Sequence, residues 1–300
     1  MPARSPSAAT VGPFLKWAGG KGQLLAQFRS FLPPSVEGRG DVEPFMGSGA
    51  VFFEVIQTRK PARCTLLDAN PELVNLFVQV RDHLETLIPV LEEHRKRHNH
   101  LGISETDRKA YYYSVRSSTP VAGSVEAAAR FLYLNKTCFN GLHRLNSRGE
   151  FNVPMGNYAR PRIFDADHLQ AASKLLQGVR LETCSFRQCE DYISAGDFVY
   201  LDPPYEPLSP TSSFTAYAKD TFTLEDQTAL RDLLARISPR CQWMLSNSTA
   251  ATIEALYDQP RMYKFHVLAA RSINSVAKGR GKIPELLVTN YAVPPPIAAS

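Results

Sequence analysis

At 300 residues, with 44% hydrophobic and 21% charged side chains, the chain has the composition of a folded globular protein with a substantial core, not of a disordered polypeptide. A formal charge of +5 permits attraction to a polyanion without establishing it. Five cysteines with no CxxC unit argue against a disulfide scaffold or a zinc finger, and no apolar run has the length of a signal peptide or a membrane span, so an intracellular enzyme or binding protein is expected.

Met1 to Gly12, rich in Pro, Ser and Ala, is expected to be a flexible tail. In Phe14-Leu15-Lys16-Trp17-Ala18-Gly19-Gly20-Lys21, a short apolar approach meets paired glycines flanked by lysines. Such a segment either brings backbone amides and charge to an anion or simply initiates the helix expected through Leu24, Leu25 and Phe28. Asp41-Val42-Glu43-Pro44-Phe45-Met46-Gly47-Ser48-Gly49 then leads into a helix over Ala50 to Ile56, whose amino terminus would face a ligand on the glycine loop. A strand over Cys64 to Leu67 ends at Asp68, nineteen residues beyond Gly49, the spacing at which an acidic strand end receives ribose hydroxyls. The loop lacks the full GxGxxG pattern and a Walker ending, so a small adenosine-containing cofactor fits better than a nucleoside triphosphate. A plain strand–helix turn with a solvent-facing aspartate is the competing reading.

Residues 71–164 read as an insertion. Helical periodicity runs from Leu73 to Val80 and again from Leu84 to Leu91, followed by the basic tract His94 to His100, which suits either a phosphate contact or a solvated helix end. Its histidines lack a metal-ligand pattern. A helix beginning at Ala127 changes at Asn135 into Lys136-Thr137-Cys138-Phe139-Asn140-Gly141-Leu142-His143-Arg144, and Leu145 to Pro154 forms a hairpin pattern reversing at Arg148-Gly149. Asn140 and Arg144 can read base edges or stabilise the loop internally. Tyr158, Arg160 and Arg162 continue the polar region.

Beyond it, a helix over Leu169 to Leu176 and a strand over Val179 to Thr183 precede the apolar strand Phe198-Val199-Tyr200-Leu201, which Asp202-Pro203-Pro204-Tyr205 ends abruptly because proline cannot continue the ladder. A carboxylate, proline carbonyls and an aromatic ring at a strand's carboxyl end suit a planar amine, with an extrahelical adenine as the obvious example. Glu206 to Thr223 is either a lid or a surface loop. Thr223 and Asp226 cap a helix to Ile237; Gln242 to Asn247 is a strand, Ile253 to Tyr257 a short helix, and Phe265 to Val267 and Glu285 to Tyr291 are late strands around a flexible basic segment, Lys278 to Lys282.

Together, Phe14 to Lys21, Glu43 to Phe53, Asp68, Asn135 to Leu142, Gly149 to Pro154 and Asp202 to Tyr205 resemble the Dam-type, D12-class family of adenine-specific DNA methyltransferases, over nearly the whole chain from Phe14 to Tyr291. The resemblance implies an α/β fold: a doubly wound, mostly parallel S-adenosylmethionine-dependent methyltransferase sheet with a reversed late strand. Residues 1–70 and 165–300 would form the catalytic domain, and 71–164 an inserted, mainly helical target-recognition domain containing a hairpin. It implies S-adenosyl-L-methionine at Trp17, Gly19, Lys21, Phe45, Gly47, Gly49 and Asp68, with Lys21 near the methionine end and no metal. It further implies catalysis by Asp202, Pro203, Pro204 and Tyr205, and DNA recognition by Lys16, Asn140, Leu142, Arg144, Pro154 and Tyr158. The implied partner is double-stranded DNA with GATC as leading target, without a membrane or required protein partner, in the cytoplasm and on the nucleoid during action. A catalytically inactive DNA-binding homologue and an RNA or protein-glutamine amino methyltransferase are the alternatives.

Overall fold

A computed structural model describes residues 10–100, 102–205, 222–270 and 282–293. The expectations for the connection at 206–221, for the basic segment at 278–281 and for the terminus from residue 294 lie outside them.

The described elements are α1 (Leu25–Phe28), β1 (Gly40–Glu43), α2 (Ala50–Thr58), β2 (Arg63–Asp68), α3 (Pro71–Asp82), α4 (Leu84–Asn99), α5 (Glu105–Ser117), α6 (Val125–Thr137), α7 (Ala166–Leu176), β3 (Arg180–Thr183), β4 (Phe198–Leu201), α8 (Leu224–Ile237), β5 (Gln242–Ser248), α9 (Ala251–Leu256), β6 (Tyr263–Ala270) and β7 (Lys282–Thr289). Seven strands form one sheet in the order β3-β2-β1-β4-β5-β7-β6. The first five lie parallel, and β7 runs antiparallel between β5 and β6, as the reversed-strand expectation requires. The order reverses between β1 and β4, so their carboxyl ends open a crevice suited to a ligand.

Helices cover both faces, which is why β4 reads as an unbroken apolar run. Phe198 and Tyr200 face the α1–α2 side, while Val199 and Leu201 meet Leu230, Leu233, Leu234 and Ile237 of α8. The start of α8 carries the expected capping box, with Thr223 and Asp226 exchanging side chain–backbone bonds. Within the expected amino-terminal tail Val11 and Gly12 are tied to the fold: Gln57 exchanges two hydrogen bonds with the Val11 backbone, and the Gly12 carbonyl bonds His168 Nε2, while residues 1–9 lie outside the described residues.

In the insertion, α3 packs on both the sheet side and α6, and α5, which the sequence reading left without an element, closes a separate core of Tyr112, Val115, Tyr133, Leu134 and Val153. The expected hairpin is present as a short reversal held by isolated antiparallel bridges Leu145↔Phe151 and Cys138↔Met155, with Gly149 at φ +79° in its turn. The basic tract divides: Arg95, Lys96 and Arg97 are exposed, whereas His94 and His98 turn inward to Tyr111 and Tyr133 at 2.7 and 2.9 Å. Burial pushes both imidazoles down to about 4. Between about pH 6.5 and pH 4 the unfolded chain therefore binds protons that the folded histidines refuse, so stability should fall as pH drops through that window. Urea denaturation at pH 7 and pH 5 should show the loss, reduced in His98→Asn; an equal loss in that variant would contradict the assignment.

Candidate functional site

The crevice is built from the carboxyl ends of β1, β2, β4 and β5 together with the start of β7. Proline ends β4, leaving Asp202 20% exposed at its tip. Its Oδ1 accepts a hydrogen bond from Ser246 Oγ at 2.9 Å and lies 2.9 Å from Lys21 Nζ. Ser246 in turn meets Tyr200 OH at 2.9 Å. Lys21, expected near the cofactor's methionine end, thus reaches the tip of β4. Its buried ammonium also donates to the Gly19 carbonyl at 2.8 Å, lies 3.6 Å from Glu285 and sits 4.6 Å from the Tyr205 ring centroid. Tyr205 OH donates to Glu285 Oε2 at 2.9 Å, and burial raises the Glu285 carboxyl above its usual range against the pull of Lys21. Pro204 O accepts from Gln227 Nε2 at 3.2 Å, while the Pro203 carbonyl has no hydrogen-bond partner among the described residues.

Glu43, at the end of β1, is fully buried, and burial together with Asp41 and Asp202 pushes its carboxyl well above the usual carboxylate range.

Beside this pocket, Gly47 adopts φ +47° and Gly49 φ +69°, conformations that favour glycine. A Cβ at Gly47 would come within 2.9 Å of Trp17 Cδ1, so the indole lies directly on the loop. Asp68, at the end of β2, accepts from the Gly47 and Asn70 amides at 3.2 and 2.9 Å. Burial raises its carboxyl while these two bonds oppose the rise. A carboxylate offers about four acceptor sites, so capacity remains for hydroxyl donors. Phe45 stacks on Phe186 and meets Phe222 edge-on, forming an aromatic wall. A glycine cradle, a partly exposed strand-end carboxylate and aromatic walls fit an adenosine-containing cofactor. Gly19 is exposed at φ +74° beside Lys21.

Of the six DNA-reading candidates, Lys16 and Tyr158 are in contact, and the others lie on the loop and hairpin that follow α6. Lys16 Nζ sits 4.5 Å from the Tyr158 ring centroid, and Gly156 leaves no room for a Cβ beneath that ring. Asn135, buried, accepts from Lys16 N at 2.8 Å and donates to Lys16 O at 2.7 Å and to Gly141 O at 3.3 Å. Asn140 is exposed at φ +55°, Leu142 is half-buried, and Pro154 O accepts from Phe139 N at 2.9 Å. Arg144, exposed, bonds Asn152 Oδ1 through Nε at 2.6 Å.

Sequence reasoning missed Asn135, Phe139, Ser246 and Glu285 as site residues. Glu285 had a signal: a reversed strand starts where its parallel neighbours end, and Glu285 pairs with Ser248. Phe139, 51% exposed between the reading candidates, had none beyond its place in the motif. Among the described residues no cluster of histidine, cysteine or acidic side chains could hold a metal, and no helix is long and apolar enough to cross a membrane.

Residues 17–273 match the family model of the D12 class N6 adenine-specific DNA methyltransferases. Among similar proteins, Type II methyltransferase M.MjaIII of Methanocaldococcus jannaschii is 40% identical over 94% of this chain and 99% of its own. Type II methyltransferase M1.LlaDCHI of Lactococcus lactis subsp. cremoris is 38% identical over 93% and 95%. The DNA adenine methylase of Escherichia coli (strain K12) is 34% identical over 91% and 93%.

Proposed function

Since the chain belongs to the D12 class of N6 adenine-specific DNA methyltransferases, using S-adenosylmethionine, we propose that it methylates a flipped adenine within GATC and that Asp202 holds the amine under attack. The observation that carries this reading is the Asp202 tip. One carboxylate, a proline carbonyl without a described partner and an aromatic ring converge beside the Gly47–Asp68 cradle. In this reading residues 1–70 and 165–300 are the catalytic unit and 71–164 the target-recognition unit.

Trp17, Gly19, Lys21, Phe45, Gly47, Gly49 and Asp68 would hold the cofactor, with Asp68 on the ribose hydroxyls and Lys21 near its methionine end. When bound, its sulfonium supplies an activated methyl group. The chain's contribution is placement. Asp202 and the Pro203 carbonyl accept the two N–H bonds of the adenine amine, which turns its lone pair toward the methyl group. Pro204 fixes the turn through Gln227, and Tyr205 stacks on the base. Lys21 already holds one Asp202 oxygen, and as the amine binds its charge shares Glu285, 3.6 Å away. Asp202 would lie against the positive charge developing on the attacking nitrogen, and its carboxylate would accept the proton that nitrogen sheds and pass it to solvent through its exposed side.

A base inside a duplex cannot reach this pocket, so it must be extruded. Phe139, beside Asn140 and hydrogen-bonded through its amide to Pro154, is an exposed apolar side chain suited to act as a wedge between base steps. Arg144 has the fork that reads guanine, and Asn140 a donor–acceptor pair for base edges. The GATC assignment rests on the resemblance of this surface to that of the Dam-type family. Matched duplexes with GATC, single-base changes in GATC or no adenine, incubated with labelled cofactor, test it. Label confined to GATC is expected; equal label on another adenine site would overturn the target while leaving the chemistry.

A further inference from the structure

His143 lies between Leu142 and Arg144, yet its ring joins the cofactor side of the molecule. The imidazole stacks on Trp17 with centroids 6.0 Å apart at 26°, meets Phe131 at 5.4 Å and Phe151 at 5.8 Å, and brings Nε2 to 3.5 Å from Glu72 Oε2. Both partners belong to the proposed cofactor pocket's frame. Trp17 lies on Gly47, whose amide bonds Asp68. Glu72 is in the first turn of α3, where its amide donates to the capping Asn70 side chain, and the Asn70 amide donates to Asp68. Glu72 is also 3.4 Å from Arg130, and His143 together with that arginine holds its carboxyl below the usual range. A cavity of about 10 Å³ beside His143, Glu72, Arg130 and Phe151 is close to the minimum for one water, so the ring is closely packed on this side.

We propose that His143 is a positioning residue that couples the DNA-reading loop to the cofactor pocket. With Trp17 and Glu72 fixed by an occupied pocket, the ring clamped between them fixes the adjoining backbone of Leu142 and Arg144, so cofactor and target DNA each favour the other's binding. Thermodynamic linkage makes that effect reciprocal. The inference rests on the methyltransferase reading above and adds a residue whose contacts neither the transfer step nor base reading uses.

The experiment measures binding of a labelled GATC duplex by fluorescence anisotropy, with and without saturating S-adenosylhomocysteine as the unreactive probe. Wild-type protein should bind the duplex at least about fivefold more tightly with the probe, the lower end of typical coupling. His143→Ala, which loses both contacts, should show less than about a twofold effect. His143→Phe, which keeps a ring on Trp17 but cannot bond Glu72, should fall between. The coupling is a ratio measured on one folded protein, so a mere stability loss leaves it unmoved. No coupling in wild type, or wild-type coupling in either variant, would overturn the proposal. Wild-type methylation is assayed in parallel: its absence would count against the underlying reading, whereas methylation with uncoupled binding would sink this inference alone.

Discussion

Asp202→Ala should lower the methyl-transfer rate by about 100- to 1,000-fold, the usual cost of deleting one preorganised electrostatic group from a reacting centre. The side chain stands at the end of β4, partly exposed, and its removal opens no core cavity. Lys21 keeps the Gly19 carbonyl at 2.8 Å and Glu285 at 3.6 Å, so the buried ammonium is not left without a partner and the fold should survive. Asp202→Asn retains one acceptor oxygen without the charge and should fall between alanine and wild type. Single-turnover rates with cofactor and duplex affinities measured separately would locate the loss. A folded alanine variant transferring methyl groups at the wild-type rate would remove Asp202 from the chemistry.

Asn135→Ala should cost about 1–3 kcal/mol of stability, because a buried side chain that satisfies both Lys16 backbone groups and helps the Gly141 carbonyl would vanish. The same change frees the Lys16 segment from the loop at Gly141, so, if that loop reads DNA as proposed, discrimination between target and altered duplexes should weaken as well. Asn135→Asp can still accept from Lys16 N but cannot donate to Lys16 O, and should lie between. Urea denaturation and methylation of paired duplexes provide the two readouts; unchanged stability in the alanine variant would show that water replaces the clamp.

The sheet was legible because its strands are buried on both faces and punctuated by chemistry: β2 stops at Asp68 and β4 at Asp202-Pro203-Pro204. Glycines marked the loop before α2 because positive φ and a close indole leave no alternative at Gly47. Helix α5 was less legible, since its apolar face is made of Tyr112 and Val115 within a polar sequence, and tyrosine in isolation signals neither core nor surface. The inward turn of His94 and His98 depended on tyrosines distant in sequence. Partners across the site were hidden for the same reason: the Lys21–Asp202 and Tyr205–Glu285 contacts join residues far apart in the sequence, the second pair 80 positions apart. Spacing identifies a strand end, whereas the strand order decides which neighbour shares it.

The most direct test of the central claim is nucleoside mass spectrometry after incubation of the protein with isotopically labelled S-adenosylmethionine and duplex DNA, with RNA and protein substrates in parallel. The account predicts label in N6-methyladenine of the duplex, lost on Asp202→Ala. Label on RNA or protein instead, or a folded protein that binds cofactor and duplex yet transfers no methyl group, would contradict it.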